Sequence, residues 1–149
     1  MDNINNLETI ELISLLKNID NESNLENYLS KTLNNSKDIL LHEYFSKTFK
    51  EKGLSKSNVI KNADLDRTYA YEILRGDKKP SRDKILQFCI GANFNLEESN
   101  KALKIGNAGE LYAKVPRDSV IIFGINKNLS IMAINELLFS YKLTLLGEE

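Results

Sequence analysis

The stretch LSKSNVIKNADLDRTYAYEILRGDKKPS, residues 54–81, decides the fold. It holds two short runs of apolar residues at helical spacing, separated by a turn at residues 63–65. Ser55 and Asp66 are good N-cap residues for the two helices, and Gly76 is a good residue for ending the second. Because two short helices joined by about three residues must cross steeply, the stretch predicts a helix-turn-helix unit.

The side chains of this stretch divide into an inner and an outer set. The apolar positions that can form a buried hinge are Val59, Ala63, Leu65 and Ile73. The candidates for the outer face of the second helix are Arg67, Thr68, Tyr71 and Arg75. A helix that enters a DNA major groove about 12 Å wide needs a polar or slender outer face of this kind.

These residues resemble the Cro/lambda-repressor-like family, also called XRE-type helix-turn-helix proteins. The match has no gap, covers residues 38–92 and leaves both ends of the chain outside. Besides the turn, its pieces are Leu54, Ser55, Lys56, Asp66, Arg67, Thr68, Ile73, Arg75, Gly76, Lys78, Lys79, Pro80 and Ser81. The resemblance implies an all-α, sequence-specific DNA-binding transcriptional regulator whose helix at residues 66–75 enters the major groove.

The resemblance also implies which side chains contact double-stranded DNA. The expected base contacts are Arg67, Thr68 and Tyr71. The expected phosphate contacts are Ser55, Lys56, Lys78, Lys79 and Arg82. Phosphate contacts set affinity and register, whereas base contacts carry the sequence information. The plainer alternatives are a surface ion pair for Arg67 with a neighbouring acid and an ordinary solvated loop for the basic cluster.

Three features depart from the family pattern. Asp64 stands in the turn where the family usually has Gly, and Asp tolerates left-handed backbone better than most residues. Ile60 and Ala70 reverse the usual order of small and branched residues, which keeps the combined volume. Lys56 stands where the family often has a Gln that binds a phosphate, and a Lys serves phosphates as a point charge.

The recognition helix also contains an acidic residue, Glu72. Its carboxylate can accept a hydrogen bond from a cytosine amino group or pair with a neighbouring basic residue such as Arg75.

An internal repeat follows the helix-turn-helix stretch. Residues 82–103 match residues 117–138 at an offset of 35, with identical Arg, Asp, Phe, Ile, Asn, Asn and Leu positions. Each copy predicts two helices joined at an Asn-rich turn, with Asn95 and Ser130 as N-caps. The segment SVIIFGI has strand-like composition, but its twin lies in a helical pattern, so we predict a helix there.

The chain is therefore expected to have three parts. Residues 1–37 form an N-terminal helical arm, with a capping box at Ser23 and Glu26. Residues 38–92 form the helix-turn-helix domain, and residues 93–149 form a C-terminal helical hairpin extension packed on the core. Single modules of this kind bind DNA weakly, so a homodimer is expected, with the arm and the C-terminal hairpin as candidate surfaces. The hairpin residues proposed for that surface are Ile134, Leu137, Leu138 and Tyr141.

Composition and charge narrow the class of protein. Hydrophobic residues make up 42% of the 149 residues, which suffices for a core. The net charge is −1, yet residues 38–92 carry eleven Lys or Arg and eight Asp or Glu, so this part alone is basic. The acidic N-terminus does not resemble a signal peptide, and no apolar run could span a membrane, so a cytoplasmic location is expected.

Enzyme chemistry has little support in the sequence. His42 is the single histidine and has no nucleophile at a recognisable spacing. Cys89 is the single cysteine and lies on an apolar stripe, which favours an inert buried thiol. No cofactor or metal site is expected. The remaining alternatives to a DNA-binding regulator are a protein-interaction adaptor on a helix-turn-helix scaffold that has lost DNA binding, and an antitoxin-like repressor that binds both DNA and a partner.

Overall fold

The computed structural model describes residues 13, 14, 16–19, 21–35 and 39–148. The chain divides into two compact units, Met1–Asp38 and Ile39–Glu149. The first part of the predicted N-terminal helical arm, residues 1–12, lies outside the described residues. The segments 38–92 and 93–149 that the sequence separates both fall, apart from residue 38, in the second unit.

All regular secondary structure in the described residues is α-helical, which confirms the all-α class. The helices are α1 (Glu22–Asn35), α2 (Leu41–Glu51), α3 (Lys56–Asn62), α4 (Arg67–Leu74), α5 (Arg82–Gly91), α6 (Leu96–Ile105), α7 (Pro116–Asn126) and α8 (Ile131–Ser140). The strand-like segment SVIIFGI is part of α7, so the repeat predicts its structure correctly. No helix in these ranges has the length and apolar character needed to span a bilayer.

The start of α1 differs from its prediction. The helix begins at Glu22, and the Asn21 side chain accepts a hydrogen bond from the Asn24 amide at 2.9 Å. Asn21 is therefore the N-cap residue of α1 in place of Ser23, which lies inside the helix. Asn and Ser are about equally good N-caps, so the sequence offered two neighbouring choices.

The other predicted helix starts are confirmed. Ser55, Asp66 and Ser130 each accept a hydrogen bond from the amide three residues on, as Asn95 does within a full capping box with Glu98. Ser81 caps α5 in the same way. These bonds satisfy amides that have no partner within their own helix. Each helix of the helix-turn-helix stretch and of the two hairpins, except α7, thus begins at the residue that its local sequence indicates.

An aromatic cluster fills the centre of the second unit. The Phe45 ring lies 5.5 Å from the Phe49 ring, 5.2 Å from the Phe88 ring and 6.1 Å from the Phe94 ring. All four side chains are buried. The cluster joins α2 to the hairpin formed by α5 and α6, and α3 packs on α5 beside it. Because α3 packs on α5 and α4 packs on α2, this cluster supports both helices.

The two halves of the repeat are joined by reciprocal ion pairs. Arg82 at the start of α5 donates to Asp118 on α7, with the closest nitrogen–oxygen distance at 2.9 Å. Arg117 at the start of α7 donates to Asp83 on α5 at 2.8 Å. Both aspartates are buried. The repeat therefore builds a pseudo-two-fold pair of hairpins, α5–α6 and α7–α8.

The equivalence of the hairpins extends past the matching sequence. Asn100 accepts from the Leu111 amide at 2.9 Å, and Asn135 accepts from the Leu146 amide at 2.8 Å, again 35 residues on. Each arginine also donates to two carbonyls of the loop after its own hairpin. Those acceptors are Gly109 and Glu110 for Arg82, and Thr144 and Leu145 for Arg117.

The predicted dimer surface on α8 needs correction. Ile134 and Leu138 are fully buried against the rest of the second unit, while Tyr141 is exposed. The exposed large apolar side chains of α8 are Met132 and Phe139. Helical spacing finds an apolar stripe, but it does not tell an inward stripe from an outward one when a helix is apolar on several sides.

Candidate nucleic-acid interface

The turn between α3 and α4 has the backbone that its sequence predicts. Asp64 has a φ of 55°, which is left-handed and is tolerated by Asp. The side-chain amide of Gln87 on α5 donates to the Ala63 carbonyl at 3.0 Å in a buried position. This bond fixes the turn to the base of the fold. The sequence gives only a weak signal for Gln87, a polar residue between the apolar Leu86 and Phe88 of α5.

The hinge beneath the turn is apolar, as expected. Val59, Ala63 and Ile73 are buried, and Leu65 packs partly buried against them. The reversed pair Ile60 and Ala70 is buried as well, which agrees with a swap that conserves volume. The two helices therefore meet through small and medium apolar side chains, which allows a close crossing.

The outer face of α4 begins with two exposed side chains. Arg67 and Thr68 follow the N-cap Asp66, whose carboxylate accepts from the Tyr69 amide at 3.0 Å. The Arg67 guanidinium lies 5.6 Å from the centre of the Tyr71 ring, which is half-buried. Arg67 thus makes a cation–π contact with Tyr71 on the outer face of α4.

The acid in α4 is neutralised from the following loop. Glu72 pairs with Lys78 at 3.2 Å, and the Lys78 ammonium also lies 5.6 Å from the centre of the Tyr69 ring. Arg75, which the sequence offered as one possible partner of Glu72, pairs with Asp77 at 3.0 Å. Glu72 therefore pairs with a basic residue, but with Lys78 rather than Arg75. Gly76, which has a positive φ, turns the chain and brings the loop back over α4.

Three further basic or polar groups lie near α4 in sequence. Ser55 caps α3, and Lys56 follows it with an exposed side chain. Lys79 is exposed in the loop after α4. Within the part of the chain that the structure describes, neither lysine takes part in an ion pair. Both keep their charge available for an anionic partner.

Arg82 is held inside the fold. Its side chain is only 28% exposed, and its donors are used by Asp118 and by two loop carbonyls. The structure therefore brings Arg82 to the repeat rather than to the outer face of α4. We leave it out of the phosphate contacts proposed below, because a new contact would break an existing buried pair.

Cys89 and His42 are the two side chains that the sequence analysis considered for enzyme chemistry. Cys89 is fully buried, and burial raises the pKa of its thiol to about 12, so no thiolate is present near neutral pH. The His42 ring packs against Gly76. Among the described residues, no His, Cys, Asp and Glu cluster could hold a metal ion.

The outer face of α4 and the loop after it thus carry more basic residues than acidic ones, but several of these residues form ion pairs with each other. Lys56, Arg67 and Lys79 keep their positive charge, Lys78 shares its charge with Glu72, and Arg75 shares its charge with Asp77. In comparisons with known proteins, the chain matches no family model, no curated protein and no solved structure.

Proposed function

We propose that this protein is a sequence-specific DNA-binding regulator of transcription that inserts α4 into the major groove of duplex DNA. The observation that carries the proposal is the pair Arg67 and Thr68. Both are exposed at the first turn of the second helix of a two-helix unit. In helix-turn-helix proteins, the N-terminal residues of that helix contact the base edges.

The cation–π contact between Arg67 and Tyr71 supports a role in base readout. An arginine that is already held on the outer face loses less rotamer freedom when it binds the O6 and N7 atoms of a guanine. Thr68 can contact a base edge or a thymine methyl group beside it. The Tyr71 hydroxyl can donate to a phosphate or a base at the edge of the groove.

The proposed phosphate contacts follow from the exposed basic residues around α4. Lys56 at the start of α3 and Lys79 in the loop after α4 provide free positive charge. The Ser55 hydroxyl, beside Lys56, can donate to a phosphate oxygen while it caps α3. Lys78 can exchange Glu72 for a phosphate, because exposed ion pairs of this kind are weak. The proposal includes the cytoplasmic location that the sequence favours.

Salt-dependent binding to random duplex DNA tests this proposal. The affinity, measured by fluorescence anisotropy, should rise steeply as salt falls, because bound lysines release condensed counterions. The double variant Lys78→Glu, Lys79→Glu should bind at least about 10-fold more weakly. The matched control reverses Lys104 and Lys114, two exposed lysines outside the proposed interface. Absence of binding at about 50 mM salt would overturn the proposal.

A protein-interaction adaptor is the second candidate. One observation in its favour is that Glu72 and Asp77 form ion pairs with basic residues near α4. The other is that Phe123, Met132 and Phe139 are exposed on the second hairpin. If the salt series shows no DNA binding in a folded protein, this candidate takes the place of the first. An antitoxin-like repressor would combine DNA binding at α4 with a partner at the second hairpin.

A further inference from the structure

The repeat creates two equivalent faces, and the first is covered by a helix. In the first hairpin, Phe88 is fully buried, with its ring 5.2 Å from the Phe45 ring of α2. The Tyr44 hydroxyl of α2 donates to the Glu98 carbonyl of α6 at 3.1 Å. This face of the α5–α6 hairpin is therefore a site on which a helix packs.

The equivalent face of the second hairpin is open. Its residues are Val120, Phe123, Leu129, Ala133 and Leu137, which we call the Phe123 face. Phe123 is 49% exposed, whereas its counterpart Phe88 is 0% exposed. The other four residues are half-buried. Within residues 39–148, no helix takes the place that α2 takes on the first hairpin.

The charges around the open face differ from those around the covered one. Lys101, whose ammonium lies 5.4 Å from the Tyr44 ring, is replaced by Glu136 in the second copy. Ala92, which is buried, is replaced by the exposed Lys127. These two changes give the Phe123 face one acid and one base that the first face does not have in those positions.

The positions of Lys127 and Glu136 make the face self-complementary. Lys127 lies at the turn that joins α7 to α8, and Glu136 lies in the second half of α8, away from that turn. A two-fold axis through the middle of the face places the turn of one hairpin against the open end of another. Each Lys127 then meets the Glu136 of the other copy.

We propose that the occupant of the Phe123 face is a second copy of this chain, packed through the same face. The two α7–α8 hairpins form an antiparallel four-helix arrangement, with the Phe123 rings at its centre and ion pairs at both ends. The proposal does not rest on DNA binding. It goes beyond the proposed function by naming the surface through which two recognition helices are joined.

Sedimentation of the full chain without DNA tests the proposal. The wild-type protein should be a dimer above about 10 µM. Phe123→Asp should raise the dimer dissociation constant at least about 30-fold, because it puts a charge at the centre of the interface. Met132→Asp is the matched control. Met132 is more exposed than Phe123 but corresponds to Glu97, which α2 leaves exposed on the first hairpin.

A charge exchange tests the geometry separately, with surface variants that leave the core intact. Lys127→Glu and Glu136→Lys should each weaken the dimer about 5-fold, and the double variant should restore it. Three results would each overturn the proposal: a monomeric wild-type protein at about 1 mM, a dimer unchanged by Phe123→Asp, or a double variant weaker than both single variants. A monomer would mean that a second copy of this chain does not occupy the Phe123 face.

Discussion

Arg82 and Asp118 form one of two reciprocal ion pairs that join the repeated hairpins, and Arg117 and Asp83 form the other. The distances are 2.9 and 2.8 Å. Each aspartate also accepts a hydrogen bond from a backbone amide in the segment that follows the opposite hairpin. Tyr112 donates to Asp118, and Gly147 donates to Asp83. The same four residues therefore hold both hairpins and both of the loops that follow them.

We call the two ion pairs Arg82–Asp118 and Arg117–Asp83 the clamp. Removing one partner of the clamp should destabilise the fold strongly. Asp118→Ala leaves Arg82 and the Tyr112 amide without their acceptor, and we expect the free energy of unfolding to fall by about 3 kcal/mol. Arg75→Ala is the control, because Arg75 and Asp77 are both 59% exposed and their pair should contribute less than about 1 kcal/mol. Urea denaturation measures both. Equal losses in the two variants would show that the clamp does not hold the hairpins.

The clamp should also make the protein sensitive to acid. Burial alone raises the pKa of Asp118, but hydrogen bonds from Arg82 and the Tyr112 amide outweigh it, so the pKa lies below its usual value. A lowered pKa stabilises the fold above the unfolded value of about 3.9, and this contribution is lost as the pH falls through the folded pKa.

The Asp118→Asn variant isolates that contribution. As the pH falls below about 4, the wild-type free energy of unfolding should decrease more steeply than that of the variant. Urea midpoints measured at several pH values give the two slopes. Parallel slopes would show that Asp118 has the same pKa in the folded and unfolded chain.

Gly91 should be required for the packing of α5 on α3. A Cβ atom there would lie 2.7 Å from the Ala63 amide nitrogen and from the Val59 carbonyl oxygen, and neither backbone atom can move easily. Gly91→Ala should therefore cost about 2 kcal/mol. At Gly106, a Cβ would approach the flexible end of Ile85 most closely, so Gly106→Ala should cost less. Thermal unfolding of both variants checks the order, which must hold if backbone contact is the cause.

Glu72 should restrain DNA binding. Glu72→Gln removes a negative charge from α4 and frees Lys78, so we expect duplex affinity to rise about 5-fold, with a steeper dependence on salt. Glu97→Gln makes the same change in charge on an exposed part of α6 and should have little effect. Anisotropy titrations compare the two. Weaker binding by Glu72→Gln would mean that the carboxylate itself accepts from a base.

The helix starts and the tight turn could be predicted because their signals are local. Asp66 and Asn95 are recognised from a few neighbouring residues, and Asp64 from its tolerance of left-handed backbone. The repeat identified α7 as a helix for a similar reason, since its twin resolved the composition. Long-range pairing has no such signal. The identical Arg82 and Arg117 were visible, but nothing in the sequence shows that each crosses to the aspartate of the other copy.

Prediction of the surface was less successful for the same physical reason. Ile134 lies on an apolar stripe of α8, yet that stripe faces the core, whereas Phe123 on α7 is left open. Helices that are apolar on several sides leave the covered side to be decided by what packs against them. The pairing of Glu72 with Lys78 was likewise decided by the path of the loop after Gly76. The position of Arg82 after a basic loop predicts a phosphate contact, whereas its buried partner Asp118 lies 36 residues further along the chain.

Selection of binding sites from a random duplex pool tests the central claim most directly, namely that α4 reads bases through Arg67. The wild-type protein should enrich a defined motif. Arg67→Ala should lose preference at one or two positions of that motif, at a cost of about 1–3 kcal/mol, while its salt dependence stays nearly unchanged. A pool that shows no enrichment, or a uniform loss of affinity without any change in the motif, would contradict the account.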